Sequence, residues 1–158
     1  MKPISLHRAA WFATLCAGLC IAAAARAGLP ASSIPAADLL EPAQLAAALQ
    51  DAHAARPLVL QVGFKKLFDQ AHIVGAEYAG AAGSEEGVQQ LRTRVQTLDR
   101  GAPIVIYCGC CPWSRCPNMA AAYTLLKELG FRQVRALHIA TDFGTDWVDK
   151  GYAVTRGP

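Results

Sequence analysis

Ile104-Val-Ile-Tyr107 is β-branched at three of its four positions and runs without a break into Cys108. Such a run shows no polar alternation, so it fits a strand covered on both faces, as in the middle of a parallel sheet. Gly101-Ala-Pro103 punctuates its N-terminal side, where proline is acceptable at a strand's first residue. Leu58-Val-Leu-Gln-Val62, after Pro57, reads as a second buried strand, Gln133–Leu137 as a third, and Glu77–Ala79 as a brief one. Helical patterns lie between them. Pro42 opens one that extends to about Ala54, with Leu45 and Leu49 on one face. Ser84, Glu85 and Glu86 start another, in which Val88, Leu91, Val95 and Leu98 recur at spacings of three and four. Pro117 suits the first turn of a third, which carries Tyr123, Leu125, Leu126 and Leu129 and stops at Gly130. Asp142–Lys150 reads as a fourth helix and Lys65–Gln70 as a turn. Strands alternating with helices predict an α/β domain: a central parallel sheet of about five strands with helices on both faces.

The first 27 residues have a different character. Lys2, His7 and Arg8 precede an apolar run from Ala9 to Ala25 broken only by Thr14, and the run leaves through Ala25-Arg26-Ala27. A basic head, an apolar middle and a small-x-small exit form a secretory signal pattern, so residues 1–27 are read as a signal peptide and the protein as exported and periplasmic. An uncleaved membrane anchor is the alternative, but so many alanines make the run only moderately apolar. Residues 28–38, small and containing Pro and Ser, read as a tether, and residues 39–158 as the one domain. The signal carries Lys2, Arg8 and Arg26 and no acid, so removing it leaves twelve basic residues against twelve acidic ones. No basic stripe then argues for nucleic acid or for a membrane surface.

Of six cysteines, Cys16 and Cys20 belong to the signal; Cys108, Cys110, Cys111 and Cys116 fall within nine residues. A disulfide scaffold would spread its cysteines along the chain, whereas this one concentrates them where a strand ends. In parallel sheets, sites form just outside the carboxyl ends of strands. The strand pattern and the cysteine pattern therefore point to the same loop. A thiol at Cys108, surrounded by loop amides and by the start of the helix at Pro117, is expected to titrate below the ordinary value of about 8.5. Arg115 can add a positive charge. Four thiols would also suit zinc or Cu(I), but structural zinc usually draws Cys pairs from separated segments, so no metal is expected.

Three stretches resemble the rhodanese-like sulfurtransferases. Leu58–Val62 leading to Ala71-His-Ile-Val-Gly-Ala76 is similar to the family's first signature. Ile104-Val-Ile-Tyr-Cys108 is similar to its active-site strand and nucleophile, and Gly130–Val134 with Leu137, Trp147, Gly151-Tyr152 and Val154 to its closing segment. The sequence departs from the family in two places: Arg115 stands later in the loop, and Gln61-Val-Gly63 replaces the usual Asp-x-Arg. The resemblance implies a rhodanese-like fold with Cys108 as the catalytic residue. Gly109, Cys110, Cys111 and Arg115 would bind substrate, and Cys110, Cys111 or Cys116 would act as a resolving or disulfide partner. It further implies sulfane sulfur moving from a thiosulfate-like donor to a thiol acceptor, small or protein, with no cofactor. The alternatives are a thiol–disulfide redox protein using the same loop, or a catalytically silent module that binds a partner or a soft metal.

Overall fold

A computed structural model describes residues 31–157. The expected signal peptide, and residues 28–30 of the expected tether, lie outside the described residues. Five strands make one sheet: β1 (Leu39–Leu40), β2 (Leu58–Gln61), β4 (Glu77–Tyr78), β5 (Ile104–Tyr107) and β6 (Val134–Leu137). All pairings are parallel and the order is β1-β6-β5-β2-β4. The Ile104 run is thus central, and each of its four residues is buried. Strand alternation then divides the core into two layers. Leu60, Ile104, Ile106 and Ala136 face α3 (Glu85–Val95) and α4 (Pro117–Glu128). Val59, Val105, Tyr107 and Leu137 face α1 (Pro42–Gln50), α2 (Lys65–Gln70) and Trp147. Helices cover both faces, as the strand–helix alternation requires.

Local chemistry sets the helix ends. Ser84 caps α3 by accepting the Gly87 N–H at 3.1 Å, with Glu85 and Glu86 in the first turn and Arg92 and Arg94 in the last, a favourable arrangement for the helix dipole. α1 stops at Gln50, short of the expected Ala54, because the Asp51 carboxylate captures the His53 N–H at 2.8 Å and turns the chain. Lys65–Gln70, expected as a turn, is a short helix spanned by a Lys65–Asp69 ion pair. The expected helix at Asp142–Lys150 is a single π-helical turn, Gly144–Val148, whose entry is fixed by the Asp142 carboxylate accepting the Thr145 N–H.

Two features lay beyond the sequence reading. β3 (His72–Ile73) pairs antiparallel with β7 (Val154–Thr155), clipping the C-terminal segment to the first signature. Within the expected tether, Ala31 and Ile34 are buried against α4 and the turn Trp113–Arg115. Residues 31–38 thus pack as part of the domain.

Candidate active site

Cys108 follows the last residue of the central strand and is 3% exposed. With Gln61, Tyr107, Gly109, Cys110 and Phe143, it borders a cleft of about 290 Å³ at the carboxyl edge of the sheet. Two glycines shape this place. Gly109 has φ +68°, and a Cβ there would stand 2.7 Å from the Phe143 Cβ. With its carbonyl accepting the Phe143 N–H at 3.1 Å, the loop is tied to the cleft's far wall. Gly63 leaves room for the sulfur itself: a Cβ there would lie 2.7 Å from the Cys108 Sγ. Gln61, buried beside it, accepts the Gly63 N–H at 3.2 Å. Gln61 and Gly63 thus form one wall of the sulfur's surroundings.

The loop then doubles back. Trp113 N–H donates to the Ala140 carbonyl at 3.0 Å and Cys116 N–H to the Trp113 carbonyl at 3.2 Å, so the Trp113–Arg115 turn delivers Cys116 to the N-cap of α4. Pro117 occupies the first helical position, where its missing N–H leaves nothing unsatisfied. The result is a sulfur cluster. The Cys108 and Cys110 Sγ atoms are 2.9 Å apart, Cys110 and Cys111 are 3.4 Å apart, and Cys108, Cys110 and Cys116 all lie within 4.8 Å of one another. All four loop cysteines are unbridged thiols. Asn118, 2% exposed, orders the cluster: its Nδ2 donates to the Cys108 Sγ at 3.3 Å and the Cys110 Sγ at 3.6 Å, while its Oδ1 accepts the Gly83 N–H at 2.7 Å.

The negative charge does not sit where the sequence placed it. Cys116 is held well below the ordinary thiol range, first by the Cys108 and Cys110 thiols facing it, then by the backbone N–H groups of Met119 and Asn118 at the start of α4. Those donors outweigh its burial. At Cys108 the Cys110 thiol favours the anion, but contact with Cys116, burial and the Cys116 charge together push the thiol up. Cys110 is raised chiefly by Cys108 and Cys116, and Cys111 by burial. The expected depression of Cys108 is therefore corrected. The helix terminus that was to lower it serves Cys116 instead, and a compact cluster supports one thiolate more readily than two.

Of the other expected substrate-binding residues, Gly109 and Cys110 line the cleft and Cys111 is half-buried beside Cys110. Arg115 is exposed on the outer side of the loop and does not line the cleft; its charge acts on Cys111. Sequence reasoning missed Asn118, Gly63 and Phe143. Asn118 left one signal, a polar residue in the first turn after Cys116-Pro117, placed to fold back over the cap. His72 is structural: it stacks on Phe68 with ring centroids 3.8 Å apart, and its Nδ1 lies 2.9 Å from the Phe68 carbonyl. His138 meets the Trp113 ring edge-on and pairs with Glu41, away from the cleft.

No protein-family model matches the chain, and no curated protein is similar to it in sequence. Solved structures are similar in fold. The solution structure of the rhodanese-like domain from the Alr3790 protein of Anabaena sp. has a TM-score of 0.58 at 19% identity, covering 75% of this chain and 79% of that one. A crystal structure of the Alr3790 protein has a TM-score of 0.57 at 19% identity, over 74% of this chain and 91% of that one. The BH2092 protein of Bacillus halodurans has a TM-score of 0.57 at 18% identity, over 75% and 76%. The five-stranded parallel sheet with helices on both faces is a rhodanese-like fold.

Proposed function

We propose that the protein is an exported, periplasmic sulfurtransferase that carries sulfane sulfur as a persulfide on Cys108. One observation supports this above others: Cys108, at the end of the central strand, borders the cleft, and the Asn118 Nδ2 donates to its sulfur at 3.3 Å. In the forward step, the Cys108 sulfur attacks the outer sulfur of thiosulfate. A new S–S bond forms, the donor's S–S bond breaks, and sulfite leaves with the electron pair. The Cys108 proton passes to the neighbouring Cys116 thiolate as the bond forms. A thiol acceptor, small or protein, then attacks the outer persulfide sulfur and departs with it, and Cys108 regains its proton from Cys116. Arg115, exposed beside the loop, draws an anionic donor towards the cleft without touching it.

Intact mass tests the reading. Reduced protein incubated with thiosulfate gains one sulfur, cyanide removes it, and Cys108→Ser gains none. A folded, fully reduced protein that takes up no sulfur overturns it. A second reading has its own support in the 2.9 Å Cys108–Cys110 separation, which a disulfide closes with little movement. In that case the loop cycles between dithiol and disulfide at a potential near that of thioredoxin, measured against glutathione buffers, and takes no sulfur from thiosulfate.

A further inference from the structure

The sequence spacing argued against a metal because four cysteines in nine residues do not come from separated segments. In space they do. Cys108 and Cys110 belong to the turn that leaves β5, Cys116 belongs to the cap of α4, and the fold brings them face to face. We propose that Cys108, Cys110 and Cys116 form a three-thiolate site for Cu(I).

The dimensions suit such an ion. A three-coordinate metal with bonds of about 2.3 Å sets its sulfurs about 4 Å apart. The triangle has one edge of 2.9 Å, and no edge exceeds 4.8 Å. Opening the Cys108–Cys110 edge completes it, and Cys110 is the half-buried, adjustable member of the three. The donor set selects the ion. Among the described residues no histidine or carboxylate joins the group, so all its ligands are soft sulfur. Thiolates favour Cu(I) and zinc; zinc prefers a fourth ligand, whereas Cu(I) is satisfied by three. Cys111 is within 3.4 Å of the Cys110 sulfur but lies outside the group.

The surroundings are those of a finished site. Three thiolates around Cu(I) leave net negative charge, which needs donors beyond the ligands. Asn118 Nδ2 points at two of the three sulfurs, and the third belongs to the N-cap residue of α4, at the positive end of the helix. Cys108 and Cys116 are 3% and 2% exposed, which shields the ion from water and leaves Cys110 and the cleft as its way in. Binding involves no redox step: Cu(I) replaces the thiol protons and is released unchanged. The site is independent of the sulfur-transfer reading, but the two uses exclude each other because both occupy the Cys108 sulfur.

The test uses the full chain carrying Cys16→Ser and Cys20→Ser, so that only loop thiols count. It is reduced and titrated without oxygen against a Cu(I)-buffering chelator. One copper per chain by native mass is expected, with three fewer reactive thiols and a near-ultraviolet thiolate-to-copper band. Cys116→Ser, which puts a favoured residue at the N-cap, weakens binding by more than the roughly 10–100-fold that loss of an outer partner costs, while circular dichroism verifies the fold. Cys111→Ser keeps the ion. Copper-loaded protein takes no sulfur from thiosulfate until the chelator strips it. The site is overturned if the chelator keeps all the copper, if Cys111→Ser loses the ion as fully as Cys116→Ser, or if four-coordinate zinc is held in preference to Cu(I). Sulfur uptake by the metal-free protein is read separately, so either reading can fail alone.

Discussion

Asn118 serves the fold through one atom and the sulfurs through another, and two substitutions separate these roles. Asn118→Ala removes both. The exposed Gly83 N–H loses its acceptor at a cost of about 1 kcal/mol, and the cavity left by the buried Asn118 side chain brings the loss to about 1–3 kcal/mol. At roughly 4 °C per kcal/mol for a domain of this size, the melting temperature falls by about 4–12 °C. Asn118→Asp keeps the shape and the oxygen that serves Gly83, so most of that stability remains. It puts a carboxylate in place of the N–H donor that stands 3.3 Å from the Cys108 sulfur. Two negative charges about 4 Å apart repel by about 4 kcal/mol at an effective dielectric constant of 20. Partial protonation of the new carboxyl relieves some of this, leaving a rate of persulfide formation reduced about tenfold or more, equivalent to about 1.4 kcal/mol. The assays are thermal unfolding by circular dichroism and the time course of sulfur gain by intact mass. Should Asn118→Asp melt as the parent does and load sulfur equally fast, the assignment of Asn118 as the group that holds the sulfur anion is refuted.

Three further outcomes follow from the geometry. Gly63→Ala drives a methyl to 2.7 Å from the Cys108 Sγ and 2.9 Å from the Gln61 Nε2; sulfur loading falls about tenfold or more, while urea unfolding shows a loss of about 1–3 kcal/mol. Gly109→Ala meets both the left-handed backbone and the Phe143 Cβ, so urea unfolding registers a loss of about 2–4 kcal/mol. Glu77 is held below its ordinary carboxyl pKa, chiefly by the Arg94 hydrogen bond. That pair therefore stabilises the fold above the unfolded carboxyl pKa, near 4.3, and its contribution disappears as pH falls through the lower folded value. The pair is exposed, so Glu77→Gln lowers stability at pH 7 by no more than about 1 kcal/mol and converges with the parent at pH 2, as denaturant midpoints will report.

The parts of the fold that were legible are those where burial leaves a period or a run. The Ile104–Tyr107 run can only be satisfied by cover on both faces, and its position at the centre of the sheet follows from that. The α3 stripe and the Pro117 start of α4 are similarly local. β3 and β7 are two residues each, too short for any periodicity, and they meet across more than eighty residues of chain. At the loop, the presence of chemistry was legible but the distribution of charge was not. Cys116 directly precedes Pro117 and takes the cap of α4, whereas the charge argument assigned the helix start to Cys108, nine residues earlier. Arg115 follows from the turn at Trp113–Arg115: it is exposed, its charge acts on Cys111, and it does not line the cleft. Linear spacing likewise concealed that the sulfurs come from two elements.

Ala31 and Ile34 are wedged against α4 and the turn that seats Cys116. A protease that nicks the chain just after this pair, or a purification handle that drags on it, loosens the outer wall of the sulfur cluster while leaving the sheet intact. Handles for this protein belong at the opposite terminus, and a preparation trimmed past Ile34 misreports its thiols.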